Sequence, residues 1–352
     1  MATSELNFKK LAANIRQWAL ELGFSAAGVT GIDLKKDAEH LSKWLESERH
    51  GEMKYMEKHA GLRSNPSKLF PGVKRIISVR MDYLSKDEKL FAPLNDPHQA
   101  YISRYALGRD YHKLMRKRLQ NLAEKITQTT GPFGYRAFTD SAPILEKALA
   151  RNAGLGWIGK HTNLINKSTG SWFFLGELFT NLPLPIDSPT ENHCGSCSTC
   201  IDICPTAAIT APYELDAKRC ISYLTIELRG SIPIELRPLI GNRIFGCDDC
   251  QLFCPWNKFA QFSSEDSFNP RHGLDSTQLI ELFFWSKEEW LSKTEGSAIR
   301  RIGFECWLRN IAVALGNATT TKAVISSLQA RSNYESELVR EHVEWALEQH
   351  TK

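Results

Sequence analysis

The chain has 352 residues, 44 Lys and Arg against 40 Asp and Glu, and a net charge of +4. Its 42% hydrophobic and 24% charged content is that of an ordinary globular protein of two or three domains, and the weak positive charge permits an anionic partner without requiring one. No segment is apolar enough to span a membrane: the most apolar window, 172–179, is short and contains Glu177, and the start MATSELNFKK lacks the apolar stretch of a secretory signal.

In chain order, residues 5–22 place Leu11, Ile15, Trp18, Ala19 and Leu22 at helical spacing, with Ser4 as a cap and Gly23 as a stop. A strand over 26–29 and a helix over about 37–48, with Leu41, Trp44 and Leu45 inward, follow. After the Pro71-Gly72 turn, 76–81 reads as a strand, 110–128 as a helix and 135–138 as a strand. Pro143 suits the first turn of a helix ending near Gly154, and 172–179 reads as a buried strand. Strands alternating with helices predict an α/β (α+β layered) domain over 1–185. A cysteine-rich module takes 186–262, with a long insert over 216–245. Residues 263–352 are helical, patterned by Ile311, Ala314 and Leu315, then Val324, Ile325 and Leu328, then Val339, Val343, Trp345 and Leu347; they read either as HEAT-like repeats or as a plain helical cap.

Eight of the nine cysteines form two runs and a bridge. Cys194-x2-Cys197-x2-Cys200-x3-Cys204-Pro205 is the full bacterial ferredoxin run. Cys247-x2-Cys250-x3-Cys254-Pro255 is the same run with Ile244 at its first position, and the isolated Cys220 supplies the missing thiolate. Because the fourth cysteine of a run ligates the other cluster, Cys194, Cys197, Cys200 and Cys254 are assigned to one [4Fe–4S] cluster, and Cys204, Cys220, Cys247 and Cys250 to a second. Structural zinc also uses paired CxxC, but it has no need of the longer run. Cys306, among Phe304, Trp307 and Leu308, is expected in the core. Thiolates kept for metal ligation imply a reducing compartment, the cytoplasm.

Four stretches carry a resemblance: Phe138-Thr-Asp140-Ser-Ala-Pro143-Ile-Leu-Glu146, the glycine-rich run from Ala153 to Ile165, Cys220 to Glu227, and Gly246 to Trp256. Together they are similar to the epoxyqueuosine reductase family, over nearly the whole chain and with no departure at the eight cysteines. The resemblance implies a cobalamin-binding N-terminal domain, a two-cluster ferredoxin-like module and a HEAT-like tail. It implies reduction of epoxyqueuosine to queuosine at the tRNA wobble position, with electrons from an external low-potential donor passing through the clusters to cobalamin.

Breaking the epoxide C–O bond needs a proton for the leaving oxygen. The resemblance assigns that role to Asp140, whereas its position before Ala142-Pro143 alone reads as a helix N-cap. Arg63, Ser103, Asn163, Leu164, Ser222, Asp248 and Asp249, with Asp140, are the expected cobalamin contacts. The Gly154 to Gly159 stretch would let backbone approach a flat macrocycle, or would end a helix, and Lys160 and His161 are candidates for a phosphate or the substrate ring. Arg104, Arg109, Lys113, Arg116, Lys117 and Arg118, then Arg300, Arg301 and Arg309, offer a phosphate track, with Arg229 and Arg237 near the anticodon loop; each group alone reads as a solvated face. The protein is expected to act as a monomer. Two other classes fit the cysteines: a ferredoxin-type electron carrier serving a partner reductase, and a corrinoid-dependent reductase of another substrate.

Overall fold

The computed structural model describes residues 6–86 and 92–351. Ser4, expected as a helix cap, lies outside them. The chain divides into two compact units, one of Met1–Leu84, Tyr111–Ser198 and Pro255–Glu265, the other of Ser85–Asp110, Thr199–Cys254 and Asp266–Lys352.

In the first unit, Asn7 caps helix α1 (Phe8–Glu21) by accepting from Lys10 N at 3.0 Å, and Leu11, Ala12, Ile15 and Ala19 form its buried stripe. Strand β1 (Ala26–Thr30), helix α2 (Lys35–Glu46) and strand β2 (Arg75–Asp82) follow, close to their expected positions. Helix α3 (Tyr111–Thr130), strand β3 (Tyr135–Phe138), helix α4 (Glu146–Asn152) and strand β4 (Phe173–Thr180) complete the layer. The sheet is antiparallel throughout, ordered β1-β2-β4-β3. Central β4 is buried on both faces, which explains its near-continuous apolar run. Helix α4 passes so close to β1 that a Cβ on Gly28 would fall 2.1 Å from Ala153 O.

Pro143 does not start helix α4, which begins three residues later with Leu145 as its cap. The intervening residues turn tightly, Ser141 N bonding Thr139 O and Ile144 N bonding Ala142 O, which carries Ile144 into the core under the sheet. The glycines after α4 serve the chain's own turns. Gly154 closes the helix end at φ +76°, and Gly156 passes Ile165 O too closely for a Cβ, beside the ladder of Trp157–Ile158 with Leu164–Ile165.

The second unit holds a short parallel ladder of Arg243–Phe245 with Tyr101–Ile102, a π-helical turn at Tyr223–Glu227, and helices α5 (Gly303–Gly316), α6 (Lys322–Gln329) and α7 (Glu337–Gln349). Helix α5 is buried almost all round. Its Arg309 is 0% exposed and donates to the carbonyls of Leu224, Leu228 and Gly230, while Asn310 Nδ2 donates to Thr225 O and Ile244 O. This corrects the surface role expected for Arg309. Arg237 and Arg104 are buried as well: Arg237 bonds Ile232 O and pairs with Glu341. Cys306 is in the core as expected. Among the described residues no helix is long and apolar enough to cross a membrane.

Candidate active site

Asp140 sits in the turn between β3 and α4, with φ +45°, in the left-handed region that Asp tolerates better than most residues. It caps no helix. Its Oδ2 lies 3.1 Å from His112 Nε2, and its own N–H donates to Glu146 Oε1 at 2.5 Å. His112 is fixed by stacking on Tyr111, which stacks in turn on Phe174 of β4 with ring centres 3.8 Å apart. Arg116, one turn along α3, donates to Ser141 Oγ. Beside the turn opens a pocket of about 400 Å³, lined by Leu69, Arg116, Arg136, Phe138, Thr139 and Ser141 among others.

Beneath Asp140 lies a carboxyl pair that the sequence pattern does not single out. Glu177 on β4 is 0% exposed, and Ser78 Oγ donates to its Oε1 at 3.2 Å. Burial, then the charge of Glu146, pushes Glu177 well above the carboxylate range; burial, then the charge of Asp140, pushes Glu146 up to about 8. The one local sign of the pair is a glutamate inside the chain's most apolar strand.

Arg63 is half-buried in the same unit, and burial lowers its pKa against the opposing charges of Tyr55, Glu146 and Asp140. One of its guanidinium nitrogens reaches Ile144 O at 3.4 Å, but buried Nε has no acceptor among the described residues. His161 repeats the pattern. Burial holds its pKa at about 4, so it is neutral; Nδ1 accepts from Asn163 N at 3.1 Å, and buried Nε2 has no partner among the described residues. Leu164 is buried beside it in sequence. Lys160 is not free for a phosphate: its Nζ bonds Gly195 O at 2.7 Å and Cys197 O at 2.8 Å, bracing the loop of the first cysteine run. Trp157 Nε1 donates to Cys194 Sγ at 3.4 Å.

In the second unit three residues of the second expected cluster, Cys204, Cys220 and Cys250, lie within range of one another's charge. Cys250 is half-buried and feels the charges of Cys220, Asp248, Cys204 and Cys200; Cys220 feels that of Cys204. Burial raises the pKa of Cys220, Cys247 and Cys250, so their thiolates need a metal to stabilise them. Ala208 N donates to Cys204 Sγ at 3.3 Å, the type of N–H···S bond that tunes a cluster's potential. None of the nine cysteines is in a disulfide. Thiols outside any disulfide are the donor type of an iron–sulfur cluster, although among the described residues no three His, Cys, Asp or Glu side chains are placed to hold a metal ion. For the other expected cluster, Cys194 and Cys197 belong to the first unit, Cys200 and Cys254 to the second.

Around the second set, Asp248 is buried and accepts from Tyr101 Oη at 2.8 Å, Ser103 Oγ at 2.5 Å and Arg104 N at 2.8 Å. Asp249 is clasped by Arg243 through two bonds of 2.7 and 2.5 Å and accepts from Cys247 Sγ. Ser222 Oγ reaches Cys247 O at 3.5 Å. Ser103, Ser222, Asp248 and Asp249 thus form one polar shell around the Cys247 turn, with their side chains engaged by protein groups.

Residues 63–141 match the family described as "Epoxyqueuosine reductase QueG, DUF1730", and residues 193–257 match the "4Fe-4S double cluster binding domain". The chain is 60% identical to the epoxyqueuosine reductase of Pseudomonas aeruginosa, over 97% of this chain and 95% of that one. It is 54% identical to that of Escherichia coli, over 98% and 90%. Its structure is similar to that of Bacillus subtilis epoxyqueuosine reductase, solved with a catalytic aspartate loop swung out of its active site (TM-score 0.88, 28% identity, 98% of this chain and 91% of that one). It is also similar to an epoxyqueuosine reductase solved with an epoxyqueuosine-modified tRNA-Tyr stem loop (TM-score 0.83, 26% identity, 98% and 100%). The chain binds two [4Fe–4S] clusters and belongs to the epoxyqueuosine reductase family.

Proposed function

We propose that this chain reduces epoxyqueuosine to queuosine in the anticodon loop of tRNA, with Asp140 as the proton donor. The overall change adds two electrons and two protons to the epoxide and releases one water as the alkene forms. The observation that carries the assignment is Asp140 itself: a carboxyl in a left-handed turn, 3.1 Å from His112, whose chain neighbours Thr139 and Ser141 line a pocket together with Arg116 and Arg136. A titratable group held in a sparsely populated conformation beside a pocket is a common signature of catalysis. The aspartate loop named for the Bacillus subtilis relative supports the same residue type in this role.

When bound, the clusters supply single electrons at low potential and cobalamin supplies two-electron chemistry at carbon. The chain's own residues hold these groups and move the proton. Cys194, Cys197, Cys200 and Cys254 are assigned to one cluster, and Cys204, Cys220, Cys247 and Cys250 to the other. Cobalamin fits the first unit, because Arg63 Nε and His161 Nε2 are buried donors without acceptors among the described residues, and a corrinoid is rimmed with amide carbonyls. Arg63, Asn163 and Leu164 would meet it there. The other expected contacts, Ser103, Ser222, Asp248 and Asp249, belong to the second unit, where their side chains are already engaged by protein groups. Asp140 holds the proton for the epoxide oxygen, and His112 orients that carboxyl.

We assign cobalamin binding to 1–185, the clusters to 186–262 and a HEAT-like supporting role to 263–352. An external low-potential donor, a reducing cytoplasm and a monomeric enzyme complete the reading; nine cysteines outside any disulfide support the compartment. The test is anaerobic single turnover of cobalamin-loaded protein on epoxyqueuosine-containing tRNA, with the product nucleoside identified by mass. Formation of queuosine is expected. Reduction of a simple epoxide or organohalide but not of the tRNA would overturn the substrate assignment.

A further inference from the structure

Three carboxyl groups of the first unit, Asp140, Glu146 and Glu177, form a chain, and only the first has an assigned role. Glu177 Oε1 takes the single hydroxyl of Ser78. Its Oε2 is buried and meets no donor among the described residues. Instead the carboxyl group of Glu146 lies at hydrogen-bonding range of Glu177. Two carboxylates cannot hydrogen-bond to each other, so one of them must carry a proton. Glu146 at the same time uses its Oε1 to hold the N–H of Asp140.

We propose that Glu146 and Glu177 share one proton and act together as a positioning unit that locks Asp140 in its left-handed turn. This rests on the reading of Asp140 as proton donor. The shared proton keeps the pair singly charged, so Glu146 can face Glu177 and hold the Asp140 N–H at the same time. Burial raises both acids, helped by the charge of Asp140 on Glu146 and by that of Glu146 on Glu177, which favours the shared proton at neutral pH. The charged groups facing the pair are Asp140 from the turn, His112 from α3 and Arg63; from β2 comes only the neutral Ser78. Arg63 and a protonated His112 match an ionised Asp140 and a singly charged pair, and a second charge on the pair would be left unmatched. Loss of the shared proton would drive the carboxylates apart and release the N–H that holds Asp140.

The test uses the anaerobic, cluster- and cobalamin-loaded enzyme. Infrared difference spectra should show a protonated carboxyl band in wild type at neutral pH that fades as pH rises through about 8. Glu177→Gln replaces the shared proton with a permanent amide donor, so the band should vanish. Its single-turnover rate should persist at alkaline pH where wild type declines. Glu146→Ala should lower kcat by about 10- to 100-fold with KM unchanged, while Glu146→Gln, which keeps both an acceptor and a donor, should restore most of it. Glu146 sits at the edge of the cluster, so these variants remain informative if Glu177→Gln does not fold. The wild-type band needs no variant at all. A missing band in wild type, an unshifted alkaline decline in Glu177→Gln, or a Glu146→Gln enzyme as slow as Glu146→Ala overturns the proposal. Asp140→Asn, run in parallel, separates the two claims. If it turns over normally, the proton-donor reading fails; if it is inactive while the pair variants match wild type, only the pair is wrong.

Discussion

His112 Nε2 and Asp140 Oδ2 stand 3.1 Å apart, joining the long helix α3 to the turn that precedes α4. With Asp140 ionised the imidazole donates; with Asp140 protonated, a neutral imidazole accepts the acid's proton in a hydrogen bond. Either way the contact fixes the direction of the carboxyl. Asp140→Asn keeps the shape and removes the transferable proton. It should leave cluster content and tRNA affinity unchanged and slow single turnover by about 10²- to 10⁴-fold. His112→Phe keeps the ring stack on Tyr111 and loses the hydrogen bond, so a smaller loss in kcat is expected. Rapid-quench kinetics on modified tRNA measures both.

Cys220 is the thiolate that the spacing rule does not locate, since it stands alone between the runs. The structure sets it within reach of the charges of Cys204 and Cys250. Cys220→Ala should lower anaerobic iron content from about eight to about four per chain and remove one cluster's EPR signal, because a cubane cluster holds four irons. Cys306→Ala, in the core of α5, should leave the iron count at the wild-type value.

The sequence discloses most where local rules govern. The strand at 135–138 falls where its composition puts it, and the stripe of α1 reads directly from its helical spacing. Asp140 reads locally as a cap because Pro143 looks like a helix start. What overrides that signal is tertiary: Ile144 must enter the core under the sheet, so the chain turns first and the helix begins at Glu146. Arg104, Arg237 and Arg309 read as surface charge because composition carries no burial. Arg309 and Asn310 interrupt an otherwise apolar helix, and that break is the only local sign that a polar pair works inside the core. The strand order is not legible, since sheet pairing is non-local.

With those arginines removed from the cationic surface, Lys113, Arg116 and Lys117 of α3 remain exposed, as do Arg109, Arg300 and Arg301. Lys113→Ala combined with Lys117→Ala should weaken tRNA binding and flatten its dependence on log salt by about 0.7 to 0.9 for each phosphate no longer neutralised. Substituting the buried Arg237 should not change the salt slope. Fluorescence anisotropy across a salt series checks both.

His342 is fully buried on α7, its Nε2 accepting from Ile232 N at 3.1 Å and its Nδ1 donating to Leu338 O at 2.7 Å. Burial, then the charge of Arg237, holds its pKa at about 4, below the ordinary 6.5. Between those values the unfolded chain binds more protons than the folded one. The stabilisation is therefore complete above 6.5 and is lost as pH falls toward 4, at up to ~1.4 kcal/mol per pH unit. The Glu146–Glu177 pair has the opposite sign: its raised pKa favours the fold at low pH, and that contribution fades as pH rises through about 8. Urea unfolding at stepped pH should show both limbs, with His342→Gln flattening the acid one and Glu177→Gln the alkaline one.

Arg309 makes the tail part of the cluster apparatus. Its guanidinium fills the space between Leu224, Leu228 and Gly230, just downstream of Cys220, and Asn310 reaches Ile244, three residues before Cys247. One turn of α5 thus ties together the two segments that carry Cys220 and Cys247, both proposed ligands of the second cluster. Arg309→Met would fill the volume but leave the two buried carbonyls of Leu224 and Leu228 without that donor, each costing roughly 1–3 kcal/mol, with the part-buried carbonyl of Gly230 adding less. A loss of ~3 kcal/mol or more in stability is expected. A chelator should then strip the second cluster faster than the first, a difference visible as selective loss of one EPR signal. If both clusters decay at the same rate in Arg309→Met, the helix supports the fold at large and has no particular hold on the Cys220 and Cys247 segments.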